Sequence, residues 1–234
     1  MRRVLRRMPL QVISRVFYSP SVIRGFIVFP GKYAGLRNFL PGCTDMANDT
    51  DFSGTEYLRF GSAVQRRCYG VLSSHGIMES LAQYAPVLAG TFPLGIDVRG
   101  SDMDIVCRWT GDFTSFGDEM SRLFAGYDDF STGVSGDGKA FLCRFTAGGI
   151  PVEIYACNME PVRSNAYRHM LVEARVLRLL GGEFMQRVVE LKEKGVKTEP
   201  AFARLLGLDG DPYVAVLGLE NVSDEDIMRF YVLR

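Results

Sequence analysis

Leu88-Ala89-Gly90-Thr91-Phe92-Pro93-Leu94-Gly95-Ile96-Asp97-Val98-Arg99-Gly100-Ser101-Asp102-Met103-Asp104-Ile105-Val106 is the stretch on which the reading of this chain turns. A short apolar run over residues 86–89 predicts a buried strand that delivers a Gly-Thr turn. A glycine-punctuated connection follows, and an Asp-x-Asp then opens a second strand over residues 102–108. Side chains two apart on a strand share a face, so Asp102 and Asp104 project together while Met103 and Ile105 go to the core. Two adjacent carboxylates repel unless a cation lies between them. Oxygen-only ligation of this kind suits Mg²⁺, with Mn²⁺ as a substitute. Gly90 lets a backbone N–H approach a phosphate closely, and the Thr91 hydroxyl adds a donor.

Working outward, apolar residues at helical spacing predict a helix over 62–72, ended at His75-Gly76, and a second over 77–84. Asp112 is placed to cap a helix over 113–125. Residues 141–145 and 150–157 flank Thr146-Ala147-Gly148-Gly149 and read as a β-hairpin. Gly133 to Ala140 nearly spells a P-loop. Ala140 lacks the hydroxyl that would meet Mg²⁺ and a strand follows instead of a helix, so a glycine-rich turn is the reading. From Ser164 the chain turns helical, with stops at Gly181-Gly182, Gly195 and Gly207 and further starts at Asp211-Pro212 and Ser223. The fold class expected is α/β (α+β): a small mixed sheet with flanking helices, followed by a helical C-terminal part. The expected divisions are a basic, poorly ordered extension (1–45), an α/β core (46–160) and a helical part packed on it (161–234).

The chain has 234 residues, 47% hydrophobic and 23% charged, which excludes a disordered or collagenous protein. Its formal net charge of +0 hides a segregation: the first 44 residues hold eight basic side chains and no acid, leaving a net −8 for the rest. So acidic a body is a poor match for a nucleic-acid backbone, which makes nucleic acid an unlikely partner except through residues 1–45. The longest apolar stretch in the leader is too short for a secretory signal or a membrane span. The Arg-rich leader is read as a dispensable extension, a targeting segment or a basic arm. Five cysteines without tight spacing argue against a disulfide framework, and with no C-x-x-C pair and with His75 and His169 far apart a structural zinc site is not expected. Buried reduced thiols at Cys107, Cys143 and Cys157 fit a cytoplasmic protein.

Gly90-Thr91, Gly95 and Ser101-Asp102-Met103-Asp104 resemble the signature of the polymerase-β-like nucleotidyltransferase superfamily. Its pattern is Gly-Ser/Thr, a spacer and Asp-h-Asp, with a third carboxylate on a later strand. Glu153, within Pro151-Val152-Glu153-Ile154-Tyr155, is the candidate third acid, where aspartate is commoner. Asn165-Ala166-Tyr167-Arg168-His169-Met170 and Lys197-Thr198-Glu199-Pro200-Ala201-Phe202-Ala203 further resemble a bacterial branch of that superfamily known as a domain of unknown function, over roughly residues 57–220. The resemblance implies transfer of an NMP from an NTP to an acceptor hydroxyl. Asp102, Asp104 and Glu153 would be the metal-holding catalytic carboxylates, and Gly90, Thr91 and Ser101, with Arg168 as a further candidate, the nucleotide-binding set. The acceptor expected is a small molecule or a protein.

Two other readings compete. An Asp-x-Asp also marks nucleotide-sugar glycosyltransferases, although the upstream Gly-Thr is foreign to them. Glutamate in place of aspartate at position 153 suits a catalytically inactive nucleotide- or partner-binding module. Other residues carry plainer expectations. Tyr167, Met170, Leu171, Ala174 and Leu177 form one apolar stripe of the helix from Ser164, and Val172, Val176, Leu179 and Leu180 an opposite one, which predicts a helix buried between layers. Arg168 and Arg175 either reach phosphates or pair with acids. His169 reads as a packing residue, Asp97 and Arg99 as parts of a solvated loop, and Asp224-Glu225-Asp226 as helix-start chemistry.

Overall fold

Each strand of the central sheet forms for a local reason. The computed structural model describes residues 50–232; the leader 1–45, with Cys43, lies outside them. The strands are β1 (Val87–Ala89), β2 (Met103–Arg108), β3 (Asp128–Val134), β4 (Ala140–Ala147) and β5 (Ile150–Cys157). They lie in the order β1-β2-β5-β4-β3. Only β2 and β5 run parallel; the other neighbours are antiparallel. Gly148 and Gly149 take φ of 53° and 72° between β4 and β5, the left-handed pair that a two-residue hairpin turn requires.

The sheet is covered on both faces. On one, Met103, Ile105 and Cys107 of β2 pack with Cys143, Phe145 and Ile154 against α1 (Ala63–Ser74), α2 (Ile77–Ser80) and α3 (Phe113–Phe124). Phe124 stacks on Phe145 with ring centroids 4.6 Å apart. On the other, Val87, Ala89 and Val106 meet α4 (Asn165–Glu193), α5 (Thr198–Leu206), α6 (Pro212–Gly218) and α7 (Asp224–Val232). The two faces explain why β2 is apolar at consecutive positions yet carries Asp104: the acid lies on the face of the C-terminal helices.

Helix starts follow from their caps. Ser62 and Gln65 form a reciprocal capping box at α1. Asp112 accepts from Ser115 N–H (2.8 Å), Ser164 from Tyr167 N–H (3.2 Å) and Asp211 from Tyr213 N–H (2.9 Å). Each such cap is worth about 1 kcal/mol. At Gly181 the backbone leaves helical geometry (φ 75°, ψ −169°), so the expected stop holds and α4 is two helical segments meeting at that kink. The second helix is shorter than expected: α2 stops at Ser80 and a 3-10 turn, Ala82–Tyr84, completes it. The two-sided burial of α4 holds for Tyr167, Met170, Val172 and Val176, whereas Leu171 is 40% exposed.

Arg175 and Arg168 both pair with acids, the first of them buttressing the C-terminus. The Arg175 guanidinium donates to Asp224 Oδ1 at 2.7 Å and to the carbonyls of Leu219 (3.1 Å) and Val222 (2.7 Å). Arg175→Met keeps the stem and strands three acceptors, so urea denaturation should show a loss of about 2 kcal/mol. An unchanged midpoint would mean that water replaces the guanidinium without loss.

Cys68, Cys107, Cys143 and Cys157 are free and buried. Burial pushes the Cys107 and Cys143 thiols up to about 12, so they are inert packing groups. No described helix is long and apolar enough to cross a membrane.

Candidate active site

One rung of the sheet gathers the polar side chains. Ala89 pairs with Asp104, Asp104 with Glu153, Glu153 with Arg144, and Arg144 with Ser131. Residues directly opposite on neighbouring strands project to the same face. Asp104 therefore stands between small Ala89 and Glu153, on the side covered by α4 to α7. Asp102 lies one pleat before it and, with Glu153, Arg144, Asp129 and Thr146, lines a concavity of about 260 Å³. Burial, followed by the charges of Asp102, Glu153 and Glu199, drives the Asp104 carboxyl well above the usual range.

The turn after β1 is shaped to this carboxylate. Gly90 has φ +74°, and a Cβ added there would lie 2.0 Å from Asp104 Oδ2. Only glycine lets the backbone come so close. The Thr91 carbonyl accepts from the N–H groups of Leu94 (3.2 Å) and Ile96 (3.3 Å), folding the connection back on itself. Gln65, buried at the start of α1, donates from Nε2 to the Pro93 carbonyl at 2.7 Å and fixes the loop from outside. Ser101 closes the next turn, its Oγ accepting from Val98 N–H at 3.0 Å.

Glu153 and Arg168 are already engaged. Arg144 Nε donates to Glu153 Oε2 at 2.6 Å, and Arg168 Nε to Glu220 Oε1 at 2.9 Å. Arg168 thus ties the first turns of α4 to the 3-10 turn Leu219–Asn221. The metal-ligand geometry differs from the expectation as well. Among the described residues, the one group of three His, Cys, Asp or Glu whose ligand atoms all lie within 4.8 Å of one another is His169, Glu173 and Glu199. Asp102, Asp104 and Glu153 share the face but are not drawn that tightly together, and Glu153 is turned to Arg144.

His169 packs edge-on against Tyr213, as a packing residue does, yet its Nδ1 finds no hydrogen bond among the described residues. It is 7% exposed, Glu173 3% and Lys192 8%. His169 Nδ1, Glu173 Oε1 and Lys192 Nζ are buried without a hydrogen-bond partner among the described residues. Such orphaned atoms cost about 1–3 kcal/mol each. Burial lifts the Glu173 carboxyl well above its usual value, with Glu199 adding to the shift, and burial lowers His169. Burial also brings Lys192 down to about 8, although Glu173, Asp97, Glu199 and Asp104 all act to hold it charged. Asp97, expected in a solvated loop, is half-buried and raised by that burial. The helical signal for this group was present as His169-x-x-x-Glu173, the spacing that puts two side chains on one helix face.

A pH dependence follows. Asp104 and Glu173 titrate higher in the folded chain than their ordinary 3.8 and 4.5. Above those values the folded state holds more protons than the unfolded one, so their contribution is full at low pH and lost as pH rises through the folded values. For Lys192 the folded value of about 8 lies below the ordinary 10.5, so stability rises between these two. Urea midpoints measured in chelator should show Glu173→Gln flattening the acid-side slope and Lys192→Met the alkaline one. Parallel profiles for wild type and variants would contradict this assignment.

A five-stranded mixed sheet, with helices on both faces and an acid-bearing rung under the C-terminal helices, defines an α/β protein with a polar centre. The family described as Domain of unknown function (DUF4269) matches residues 70–219, and the chain belongs to it. Among solved structures, a mutant Cid1 poly(U) polymerase bound to MgATP is similar at 12% identity and TM-score 0.46, over 69% of this chain and 53% of that one. Cid1 in a study of its RNA terminal uridylyl transferase activity is similar at 11% and 0.46, over 62% and 47%. The GLD-2/RNP-8 complex is similar at 14% and 0.43, over 70% and 61%. The chain thus spans about half the length of the first solved chains it matches, 53% and 47%. No curated protein matches the sequence.

Proposed function

We propose that this chain is a metal-dependent nucleotidyltransferase of the polymerase-β-like kind, moving an NMP from an NTP to a hydroxyl of a small molecule or a protein. The observation that carries the reading is the contact of Gly90 with the Asp104 carboxylate, because a Gly-Thr turn pressed against the strand acid is what phosphate binding beside a metal requires. Asp102 and Asp104 fit Mg²⁺ or Mn²⁺, since they offer hard oxygens and repel in its absence. Glu153 joins them on the neighbouring strand but shares its charge with Arg144. When bound, the ion offsets the negative charge of the triphosphate and of the attacking oxygen.

The chain's own groups do the positioning. The Gly90 and Thr91 backbone is held in place by the Thr91 carbonyl bonds and by Gln65, so its N–H groups are preorganised for phosphate oxygens. Ser101 keeps the connection into β2 short and fixed. Arg144, half-exposed on the same rung, supplies a cation beside the concavity. In-line transfer is mostly positioning and charge neutralisation, so these parts suffice for it.

The test is incubation of the protein with each α-labelled NTP and Mg²⁺ against candidate small-molecule and protein acceptors, with RNA as a further arm. Label transfer that needs both the metal and Asp104 supports the reading; its absence with every NTP and acceptor class overturns it. The second reading, a catalytically inactive module of the same fold, is favoured by the Arg144–Glu153 ion pair, which occupies the third carboxylate. It predicts metal-dependent stabilisation by nucleotide without turnover. The glycosyltransferase reading loses ground to the closeness of Gly90 and Asp104.

A further inference from the structure

We propose that His169, Glu173 and Glu199 form a binding site for a first-row transition-metal dication, selecting Zn²⁺ over Mg²⁺. Two of the three residues sit at i and i+4 on α4, and the third lies in the first turn of α5, so the helices themselves set the spacing. Their ligand atoms all lie within 4.8 Å of one another. Two of them carry orphaned atoms, His169 Nδ1 and Glu173 Oε1, in side chains that are 7% and 3% exposed. An imidazole and a carboxylate buried side by side without partners are a poor choice for a packed core and a good one for a metal.

The donor set chooses the ion. Imidazole suits Zn²⁺ and its neighbours, whereas Mg²⁺ prefers oxygens and keeps its waters. Three protein ligands leave a four-coordinate ion one position for water or another small ligand, the arrangement of catalytic rather than structural zinc sites. Charge argues the same way. Asp97, Asp104, Glu173 and Glu199 act on the Lys192 ammonium, the one buried cation in the set, and a dication would offset the excess of acid.

The three ligands are distinct from the Asp102 and Asp104 pair, although Glu199 and Lys192 lie within electrostatic reach of Asp104, and the test reads metal binding, not transfer. The full chain is stripped with chelator, and Zn²⁺ is titrated in competition with a chromophoric chelator. Co²⁺ absorbance serves as a spectroscopic signature of the imidazole-containing site. Zn²⁺ should bind at least about 100-fold tighter than Mg²⁺. Glu173→Gln and His169→Gln should each weaken it by about tenfold or more, while Asp104→Asn, which removes a neighbouring charge but no ligand, should weaken it by less than either. Glu199→Gln, at a half-buried position, decides the matter if a buried variant fails to fold. The proposal is overturned if Zn²⁺ binds no tighter than Mg²⁺. It is equally overturned if Glu199→Gln binds as wild type does, or if Asp104→Asn alone abolishes binding. A direct Lys192–Glu173 ion pair is the rival; under it Zn²⁺ gives no thermal stabilisation and Glu173→Gln lowers the metal-free Tm, and that pair of results also refutes the site.

Discussion

Asp104→Asn is expected to cut nucleotidyl transfer by about 10²–10³-fold, while leaving the fold intact or firmer. Asparagine keeps the shape of the side chain and removes its charge. The catalytic loss follows because the carboxylate is the buried member of the pair proposed to hold the ion, and a single misplaced electrostatic group in such a site costs about 10²–10³ in rate. The gain in stability follows from the neighbourhood. Asp104 is surrounded by the charges of Asp102, Glu153 and Glu199 and is itself held far above its ordinary titration range. Neutralising it relieves that repulsion, so the metal-free variant should unfold about 1 kcal/mol later in urea, a trade of stability against activity. The pair of measurements separates the readings: a stabilised variant that still transfers label at the wild-type rate would place the chemistry elsewhere.

Gly90→Ala should be the most damaging small substitution in the site. A methyl group there would lie 2.0 Å from Asp104 Oδ2 and 3.0 Å from Asp104 Cγ, at a backbone φ of +74°. The left-handed backbone alone costs a non-glycine residue about 1–2 kcal/mol. The clash adds to this by rotating the carboxylate or shifting β1 against β2, for a total of about 2–4 kcal/mol. Displacing Asp104 should also cut transfer by about 10²-fold, since small misplacements carry such penalties. Gly100→Ala is the matched control: it shares a positive φ, +87°, but its Cβ would meet nothing within 4 Å. It should lose stability and keep its activity. Equal activity losses in the two variants would show that loop strain, and not contact with Asp104, explains the effect.

Most elements of this fold are legible because their signals are local. Ser62, Asp112, Ser164 and Asp211 announce helices through the N–H groups they cap, and Gly76, Gly195 and Gly207 end them at positive φ. The β4–β5 hairpin is readable from two glycines between apolar runs. β3 is not, because it is a largely exposed edge strand without apolar alternation, irregular between Asp128 and Ser131. The Asp102 and Asp104 pair is visible since residues two apart in extended chain share a face, although Asp102 itself lies just before β2. The engagement of Glu153 by Arg144 needs the β4–β5 register, and that of Arg168 by Glu220 needs the packing of a turn 52 residues away. The His169, Glu173, Glu199 and Lys192 group escapes notice for a related reason. Reading α4 as two apolar stripes assigns its polar residues to the spaces between them, and only the docking of α5 closes that space over the acids.

The parallel pairing of β2 with β5 has a consequence for the order of assembly. β3, β4 and β5 are consecutive and antiparallel, joined by the tight turns at 135–139 and 148–149, so their contacts close short loops. Asp104 meets Glu153 only when strands separated by α3, β3 and β4 come side by side, a long-range closure of the kind that slows folding. Sequence separation therefore predicts that the acid rung is completed after the β3–β5 meander. On that order the like charges would meet one another only once a preformed sheet is there to hold them.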